Sequence, residues 1–154
     1  MRIQETDRVR AHTAPETLED IDREIETHIQ FYATKSKGII SARIEELEME
    51  WDIERVLLTN ASSIGLIGLT LGVAVNRKWL LLTAGVLGVL FQHAVHGWCP
   101  PIPLLRHYGI RTRGEIDCEK FALKALRGDF ENIPVKAENN PMVRAHSALL
   151  AVNT

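Results

Sequence analysis

Polar and apolar positions divide the chain into three parts, of which the middle one is almost without charge. Between positions 56 and 105 the charged side chains are Arg77 and Lys78 alone, with histidines counted as neutral. They separate two uncharged runs of 19 and 20 residues, 57–75 and 79–98. A helix of either length spans about 30 Å, the thickness of the hydrocarbon core of a bilayer. The pattern predicts a transmembrane helical hairpin over residues 57–98.

Small side chains recur at four-residue spacing in both runs, which predicts close packing of the hairpin helices. Helices in lipid associate through close backbone approach and shared hydrogen bonds, since no hydrophobic force draws them together. The predicted helix-packing positions are Ala61, Gly65, Gly68, Gly72, Ala84 and Gly88. They pack either within the hairpin or against a second copy of the chain, so a homodimer or homo-oligomer is one expectation.

The first 56 residues are rich in charge and carry two narrow apolar stripes. Residues 1–12 show no periodicity and are predicted to be disordered. Residues 13–56 are predicted to form two amphipathic cytoplasmic helices, 16–33 and 40–56. No proline or glycine separates the second helix from the apolar run, so it is expected to continue into that run. The stripes consist of Leu18, Ile21, Ile25, Ile29 and Tyr32, and of Ile40, Ile44, Leu47 and Trp51.

Three prolines follow the second apolar run and are predicted to end its helix, because a proline ring blocks the helical turn and removes a hydrogen bond. Residues 99–130 are interpreted as a Pro-rich interfacial turn followed by a C-terminal helix. That helix begins at a capping box, Thr112 to Glu115, and ends at Gly128. Residues 131–154 are predicted to be a flexible tail that contains at most one weak, short helix.

Composition limits the classes of function. The chain has 154 residues, with 18 basic and 20 acidic side chains and a net charge of −2, which excludes an obvious nucleic-acid binder. Two cysteines, Cys99 and Cys118, do not suggest a disulfide framework. No phosphate-binding glycine loop, zinc-protease motif or serine-hydrolase motif is present, so neither catalysis nor a cofactor is predicted. The predicted fold class is all-α, an integral membrane helical hairpin with flanking amphipathic cytoplasmic helices.

The end of the second run, LFQHAVHGWCPPIPLL, holds the residues most capable of chemistry. His93 and His96 share a helix face, and Cys99 follows three residues later. Imidazole and thiolate suit zinc or copper, although a closed zinc site needs about four ligands. The three residues are therefore candidate metal ligands, or a sulfur-handling site at Cys99. Alternatively, the histidines bond a backbone carbonyl or Asn60 across the hairpin, and Cys99, at a helix C-terminus, is a poor thiolate.

Three motifs carry a resemblance to a known family: WDIERVLLTNAS, GWCPPIPLLRHYGIRTR and FALKALRGDF. An apolar hairpin that ends in Cys99-Pro100, followed by Leu104-Leu105 and Gly109, resembles the DUF2892 family of small bacterial inner-membrane proteins. Related hairpins anchor a membrane-bound rhodanese and form a homodimer there, but this sequence has no rhodanese domain. The resemblance covers about half of the chain. It implies a hairpin in a bacterial membrane and nothing about a substrate.

The sequence therefore predicts a non-enzymatic protein of the bacterial inner membrane that acts as an anchor or interaction scaffold. Lysine and arginine near the outer ends of the hairpin favour cytoplasmic termini and an external turn. The expected partners are the lipid bilayer, a second copy, and a protein that binds the cytoplasmic helices. Two alternatives stay open: the metal- or sulfur-handling site, and an oligomeric channel or transporter subunit lined by Asn60, Ser63 and Thr70.

Overall fold

The computed structural model describes residues 7–131, 133 and 141–153, and in that part the chain is helical, without strands. The predicted all-α class is confirmed there. A 3₁₀ turn, Arg77–Trp79, joins α4 to α5. The helices are α1 Arg8–Ala11, α2 Pro15–Tyr32, α3 Lys37–Met49, α4 Ile53–Ala74, α5 Leu80–His96, α6 Pro101–His107, α7 Arg113–Arg127 and α8 Pro141–Asn153.

The chain divides into two compact units. The first comprises Met1–Glu24 and Glu50–Ile116, and the second comprises Ile25–Met49 and Asp117–Thr154. The first unit contains the apolar hairpin formed by α4 and α5. The second contains α3, α8 and most of α7, and its buried apolar side chains include Ile25, Ile40, Ile44, Leu47 and Leu123. Except for Trp51, the predicted stripe positions are buried or half-buried, which the helical spacing predicts.

Helices α4 and α5 pack tightly near the turn that joins them. Gly68 and Gly72 are buried there, and a Cβ atom added at Gly68 would lie 2.7 Å from the hydroxyl oxygen of Thr83. The same hydroxyl donates a hydrogen bond to the carbonyl oxygen of Gly65 at 3.1 Å, from one helix to the other. Close backbone approach and a shared hydrogen bond are the two interactions expected where lipid supplies no hydrophobic force.

The other three predicted packing positions lie away from this tight contact. Ala84 and Gly88 are exposed, and a Cβ atom added at Gly88 would meet nothing within 4 Å. Ala61 is half-buried and lines an open, largely apolar groove of about 640 Å³ between α4, α5 and the start of α6. A contact of Ala84 and Gly88 with a second copy stays a prediction.

Among the described residues, two helical stretches are long and apolar enough to cross a membrane, Lys37–Ala74 and Arg77–His96. The first is interrupted at residues 50–52, and because α3 is highly charged, its apolar window lies in α4. Within each stretch, only a small share of the most apolar 18-residue segment is buried. That share is 17% in the first stretch and 6% in the second. The core helix of a water-soluble protein would be mostly buried, whereas the described part of this chain leaves both helices largely exposed.

Part of the region predicted to be disordered is ordered in the structure. Asp7 caps α1, because its carboxylate accepts hydrogen bonds from the backbone amides of Val9 and Arg10, at 3.0 and 3.2 Å. An isolated helix of four residues is unstable in water, so tertiary packing holds this one. This packing comes from Val9, which is 4% exposed and belongs to an apolar cluster with Ile53, Leu57, Cys99 and Ile102. The remainder of the region predicted to be disordered, residues 1–6, lies outside the described part.

The chain does not pass from α3 into α4 as one unbroken helix. Asp52 caps α4 by accepting a hydrogen bond from the amide of Arg55 at 2.8 Å. The amide of Ile53 donates to the carbonyl oxygen of Arg111 at 2.9 Å, so the start of α4 is fixed by a distant segment. Trp51, predicted to lie in the apolar stripe, is 48% exposed and has the guanidinium of Arg55 over its ring.

Helix α5 ends before the prolines, as predicted. Gly97 adopts the left-handed conformation at φ 74° and donates its amide to the carbonyl oxygen of His93 at 2.7 Å. The interfacial turn that was expected next is partly helical, because the prolines begin α6. Proline is tolerated in a first helical turn, where its missing amide hydrogen would have no partner anyway. Arg106, in α6, is buried and only 2% exposed.

Candidate functional site at the polar base of the hairpin

The end of the hairpin opposite the turn carries a set of paired charged side chains, here called the polar base: Arg8, Arg10, Asp22, Glu50, Glu54, His93, Arg106, Arg111 and Glu115. All of these residues belong to the first unit. They come from α1, α2, the linker before α4, both hairpin helices, α6, and the start of α7 with the residues before it, so distant parts of the sequence meet here. The polar base is the strongest candidate for a functional site in the described part of the chain.

His93 and Glu54 join the two hairpin helices. The Nε2 atom of His93 lies 3.1 and 3.0 Å from the two carboxylate oxygens of Glu54. His93 is 6% exposed, whereas the Glu54 side chain is 52% exposed. The histidine was expected to bond a carbonyl or Asn60, so the interhelical bond was foreseen but its partner was not. Asn60 instead donates to the carbonyl oxygen of Val56 in its own helix, at 2.9 Å.

At both helix ends in the polar base, charged side chains lie where their sign is opposite to that of the helix dipole. The guanidinium of Arg8 donates to the carbonyl oxygens of Ala94 and Val95, at 3.1 and 3.2 Å, at the C-terminus of α5. Asp52 and Glu54 lie at the N-terminus of α4. A helix has a partial positive charge at its N-terminus and a partial negative charge at its C-terminus, so both arrangements are favourable. They satisfy backbone groups that would otherwise lack partners where the hairpin ends.

Glu115 is the centre of the polar base and is fully buried. Its carboxylate accepts two hydrogen bonds from Arg106, both at 2.7 Å, and one from Arg10 at 2.6 Å. A fourth comes from the amide of Thr112 at 2.8 Å, and the amide of Glu115 donates to the Thr112 hydroxyl at 3.3 Å. These last two bonds are the predicted capping box, which is confirmed. The geometry is that of a structural ion pair, since every carboxylate oxygen is already occupied.

The charge state of Glu115 follows from two opposing effects. Burial by itself would raise the pKa of its carboxyl group, because a charge is poorly solvated inside a protein. The hydrogen bonds and positive charge of Arg106, the Thr112 amide and Arg10 outweigh burial and lower the pKa below its ordinary value. The carboxylate is therefore ionised at neutral pH and is a poor proton acceptor for catalysis. Arg10 is itself held by Asp22 through two bonds of 3.0 Å.

Cys99 is not placed for thiol chemistry. It is fully buried in the apolar cluster with Val9, Ile53, Leu57 and Ile102. Burial raises the pKa of its thiol, and the nearby charge of Glu54 acts in the same direction. A reactive cysteine needs a lowered pKa and access to solvent, and Cys99 has neither. Cys118, the other thiol, is half-buried in α7, and the two form no disulfide.

The three predicted metal ligands lie in three different environments. His93 faces Glu54, Cys99 is buried among apolar side chains, and His96 is exposed beside His12 and Trp98. Among the residues that the structure describes, no three His, Cys, Asp or Glu side chains are grouped so that they could hold a metal ion. The donor set that the spacing suggested is therefore not assembled in this conformation.

The polar side chains proposed to line a channel form hydrogen bonds within their own helix. The hydroxyls of Ser63 and Thr70 donate to the carbonyl oxygens four residues earlier, both at 2.8 Å, as Asn60 does. Such bonds let a polar side chain exist in lipid without a partner on another helix. Their presence on α4 thus requires no conduction path.

Most of the polar base has no local signal in the sequence. Arg10 and Glu115 are 105 positions apart, and Arg111 and Glu50 are 61 apart. The capping-box spacing located Glu115 but gave no sign of its burial. Glu50 and Glu54 lie at the border of the apolar run, and this position is a usable clue to pairing at a helix end.

Comparison of the sequence and the structure with family models, curated proteins and solved structures finds no match. The resemblance to the DUF2892 family therefore stays a prediction based on the three motifs.

Proposed function

We propose that this chain is a non-enzymatic integral membrane protein, in which α4 and α5 anchor a polar base and its attached helices at a membrane surface. Its role is that of an anchor or interaction scaffold. The proposal includes the bacterial inner membrane as the location, for which the family resemblance is the support. It also includes the bilayer, a second copy and a protein partner as the contacts of the chain.

The observation that carries the proposal is the outward exposure of large apolar side chains on membrane-length helices. Leu66, Val73, Leu81, Leu87 and Phe91 are between 58% and 80% exposed. A water-soluble monomer rarely exposes a continuous apolar surface of this extent, because its contact with water is unfavourable. In a bilayer the same side chains face hydrocarbon, and the uncharged lengths match its thickness.

The polar base supports a position at the membrane–water interface. Its ion pairs and helix caps begin where the apolar surface stops, which is where backbone groups at helix ends need partners. Arg77 and Lys78 lie at the other end of the hairpin, about one membrane thickness away along the helices. Trp79 and Trp98 flank α5, which suits the preference of tryptophan for the interface.

Extraction of membranes tests the anchor. Membranes from cells that express the chain are washed with alkaline carbonate and then with a mild detergent. We expect the chain to stay in the membrane through carbonate and to dissolve only in detergent. Release by carbonate, or a purified chain that is soluble and monodisperse without detergent, would contradict the proposal and favour a soluble helical bundle.

A pair of matched variants separates lipid exposure from simple charge addition. Leu87→Arg places a charge at the centre of α5, where insertion costs about 2.5–3.5 kcal/mol. Met49→Arg places the same charge at an exposed apolar residue of α3, which is 70% exposed and outside the proposed bilayer. We expect the first variant to reduce the membrane-inserted fraction and the second to leave it unchanged.

The orientation of the hairpin is tested separately. Both termini are proposed to be cytoplasmic, because arginines at the outer ends outnumber the two charges of the turn. A cysteine introduced at Asn76 should react with a membrane-impermeant maleimide added to the outside of spheroplasts. A cysteine at Thr34 in the loop after α2 should react only after the membrane is permeabilised. The reverse pattern would overturn the orientation but leave the anchor intact.

A further inference from the structure

One exposed side of α4 is a stripe that runs almost the length of the helix and begins with a cation. At about 3.6 residues per turn, Arg55, Leu58, Ser62, Leu66, Leu69 and Val73 fall on this side, and all of them are exposed. From Arg55 to Val73 the stripe extends about 27 Å along the helix axis, close to the thickness of a hydrocarbon core of about 30 Å. In the proposed bilayer, Arg55 therefore lies at the boundary between hydrocarbon and headgroups.

The guanidinium of Arg55 has no carboxylate partner within the described part of the chain, although acidic residues surround it in the sequence. The carboxylates of Glu50 and Glu54 are paired with Arg111 and His93, at 2.8 and 3.0 Å. The carboxylate that caps α4 accepts the backbone amide of Arg55 at 2.8 Å. Each neighbouring acid is thus engaged by another group, and the charge of Arg55 is left for a partner outside these residues.

Trp51 orients this guanidinium. The Cζ atom of Arg55 lies 4.4 Å from the centroid of the Trp51 ring, which is a cation–π distance. Stacking covers one face of the planar group and leaves the N–H donors at its edge available. Such an edge matches two oxygens of one phosphate group, a geometry that the single ammonium of a lysine cannot reproduce. Tryptophan itself prefers the membrane–water boundary, because its ring is apolar and its N–H is polar.

We propose that Arg55 and Trp51 form a binding site for the phosphate group of a phospholipid, whose acyl chains lie along the apolar part of the stripe. The inference rests on the proposed membrane anchor, because α4 has to lie in the bilayer. A lipid fits better than an acidic protein segment, since the cation is continuous with an apolar surface of hydrocarbon length. The site would fix the depth of α4 in the membrane.

Native mass spectrometry tests whether Arg55 holds a phospholipid. The full-length chain is purified in mild detergent with phosphatidylglycerol and released from the micelle, and the lipids that it retains are counted. We expect Arg55→Gln to retain about one phospholipid fewer per chain, because one guanidinium engages one phosphate. Arg55→Lys should restore only part of the loss. Arg23→Gln is the control, because Arg23 is also exposed but is already paired with Asp20 at 2.9 Å. Equal retention by Arg55→Gln and the unsubstituted chain would overturn the proposal.

The fluorescence of Trp51 gives a second readout, of depth rather than of lipid retention. A chain with Trp79→Phe and Trp98→Phe keeps Trp51 as its single tryptophan. In phosphatidylglycerol vesicles, we expect a nitroxide near the ester groups to quench Trp51 more than a nitroxide near the end of the acyl chain. Arg55→Gln should change this depth profile in phosphatidylglycerol but not in digalactosyl diacylglycerol, which has no phosphate. A profile that Arg55→Gln changes equally in both lipids would overturn the phosphate contact.

The remaining outcomes separate this site from the anchor and from a protein contact. Variants that resist carbonate but retain as much phospholipid as the unsubstituted chain would overturn the site and leave the anchor standing. Release of the unsubstituted chain by carbonate would overturn the anchor, and the site with it. Loss of cross-linking between two copies in Arg55→Gln, with unchanged phospholipid retention, would overturn the proposal in favour of an acidic partner on a second copy.

Discussion

Arg106 and Glu115 form a two-bond ion pair that is sealed from solvent, with side-chain exposures of 1% and 0%. The pair connects α6, which follows the hairpin, to the first turn of α7. Taking two charges out of water is costly, and here the cost is offset by four donors to one carboxylate. Removal of either side chain would leave the opposite charge buried without its partner. The pair is therefore the most sensitive point of the polar base.

Replacement of Arg106 by alanine is expected to destabilise the first unit by about 3–5 kcal/mol, since Glu115 would keep a buried charge with fewer donors. Arg23→Ala is the matched control, because the Arg23–Asp20 pair has side-chain exposures of 70% and 73%. An exposed pair contributes about 0–1 kcal/mol. Equilibrium unfolding in detergent micelles measures both. Equal effects of the two substitutions would contradict the structural role of the buried pair.

Acid is expected to destabilise the polar base through Glu115. Its pKa is lowered in the folded state, so its contribution to stability is complete above the unfolded carboxyl pKa of about 4.3 and is lost as pH falls through the folded value. The unfolding midpoint of the unsubstituted chain should therefore fall steeply below about pH 4.3. The Glu115→Gln variant should be less stable at neutral pH, but its unfolding midpoint should fall less on acidification. Parallel curves for the two proteins would show that another carboxyl group controls the acid transition.

The tight end of the hairpin is expected to reject even one added methyl group. A Cβ atom at Gly68 would lie 2.7 Å from the Thr83 hydroxyl oxygen, and displacing that hydroxyl breaks its bond to the Gly65 carbonyl. Gly68→Ala should cost about 1–3 kcal/mol, the usual range for overpacking. Gly88→Ala is the control, because its Cβ atom would meet nothing within 4 Å and alanine favours a helix. Unfolding of both variants by titration with a denaturing detergent compares them, and a loss at Gly88 as large as at Gly68 would point to a second-copy contact at α5.

Local patterns predicted the elements of this protein better than the contacts between them. The uncharged lengths, the apolar stripe of α2 and the Thr112–Glu115 capping box depend on spacings within one turn or one helix, and all three are present. Asp52 is a good helix cap before an apolar run, so the break before α4 could have been predicted from the same rules.

The remaining features depend on pairing across long stretches of chain. Helix α1 has too few residues to be stable alone, and it is ordered by the buried Val9 and by bonds of Arg8 and Arg10 to residues 86 and 105 positions away. The spacing of His93, His96 and Cys99 satisfied a metal-ligand pattern on one helix face. The left-handed Gly97 and the turn into α6 then separate Cys99 from the imidazoles, and neither could be predicted from that spacing.

Two glycines with the same backbone conformation allow strain and packing to be measured apart. Gly97 and Gly109 have φ values of 74° and 75°, where a residue with a Cβ atom costs about 1–2 kcal/mol. A Cβ atom at Gly97 would also lie 2.3 Å from the Cβ atom of Arg8, whereas one at Gly109 would meet nothing within 4 Å. Gly97→Ala should therefore lose the strain energy and a further overpacking cost of about 1–3 kcal/mol, and Gly109→Ala the strain energy alone. The difference in unfolding free energy between the two variants measures the contact of α1 with the end of α5. A difference near zero would mean that α1 moves away without cost, and that its Arg8 cap contributes little to the stability of the hairpin.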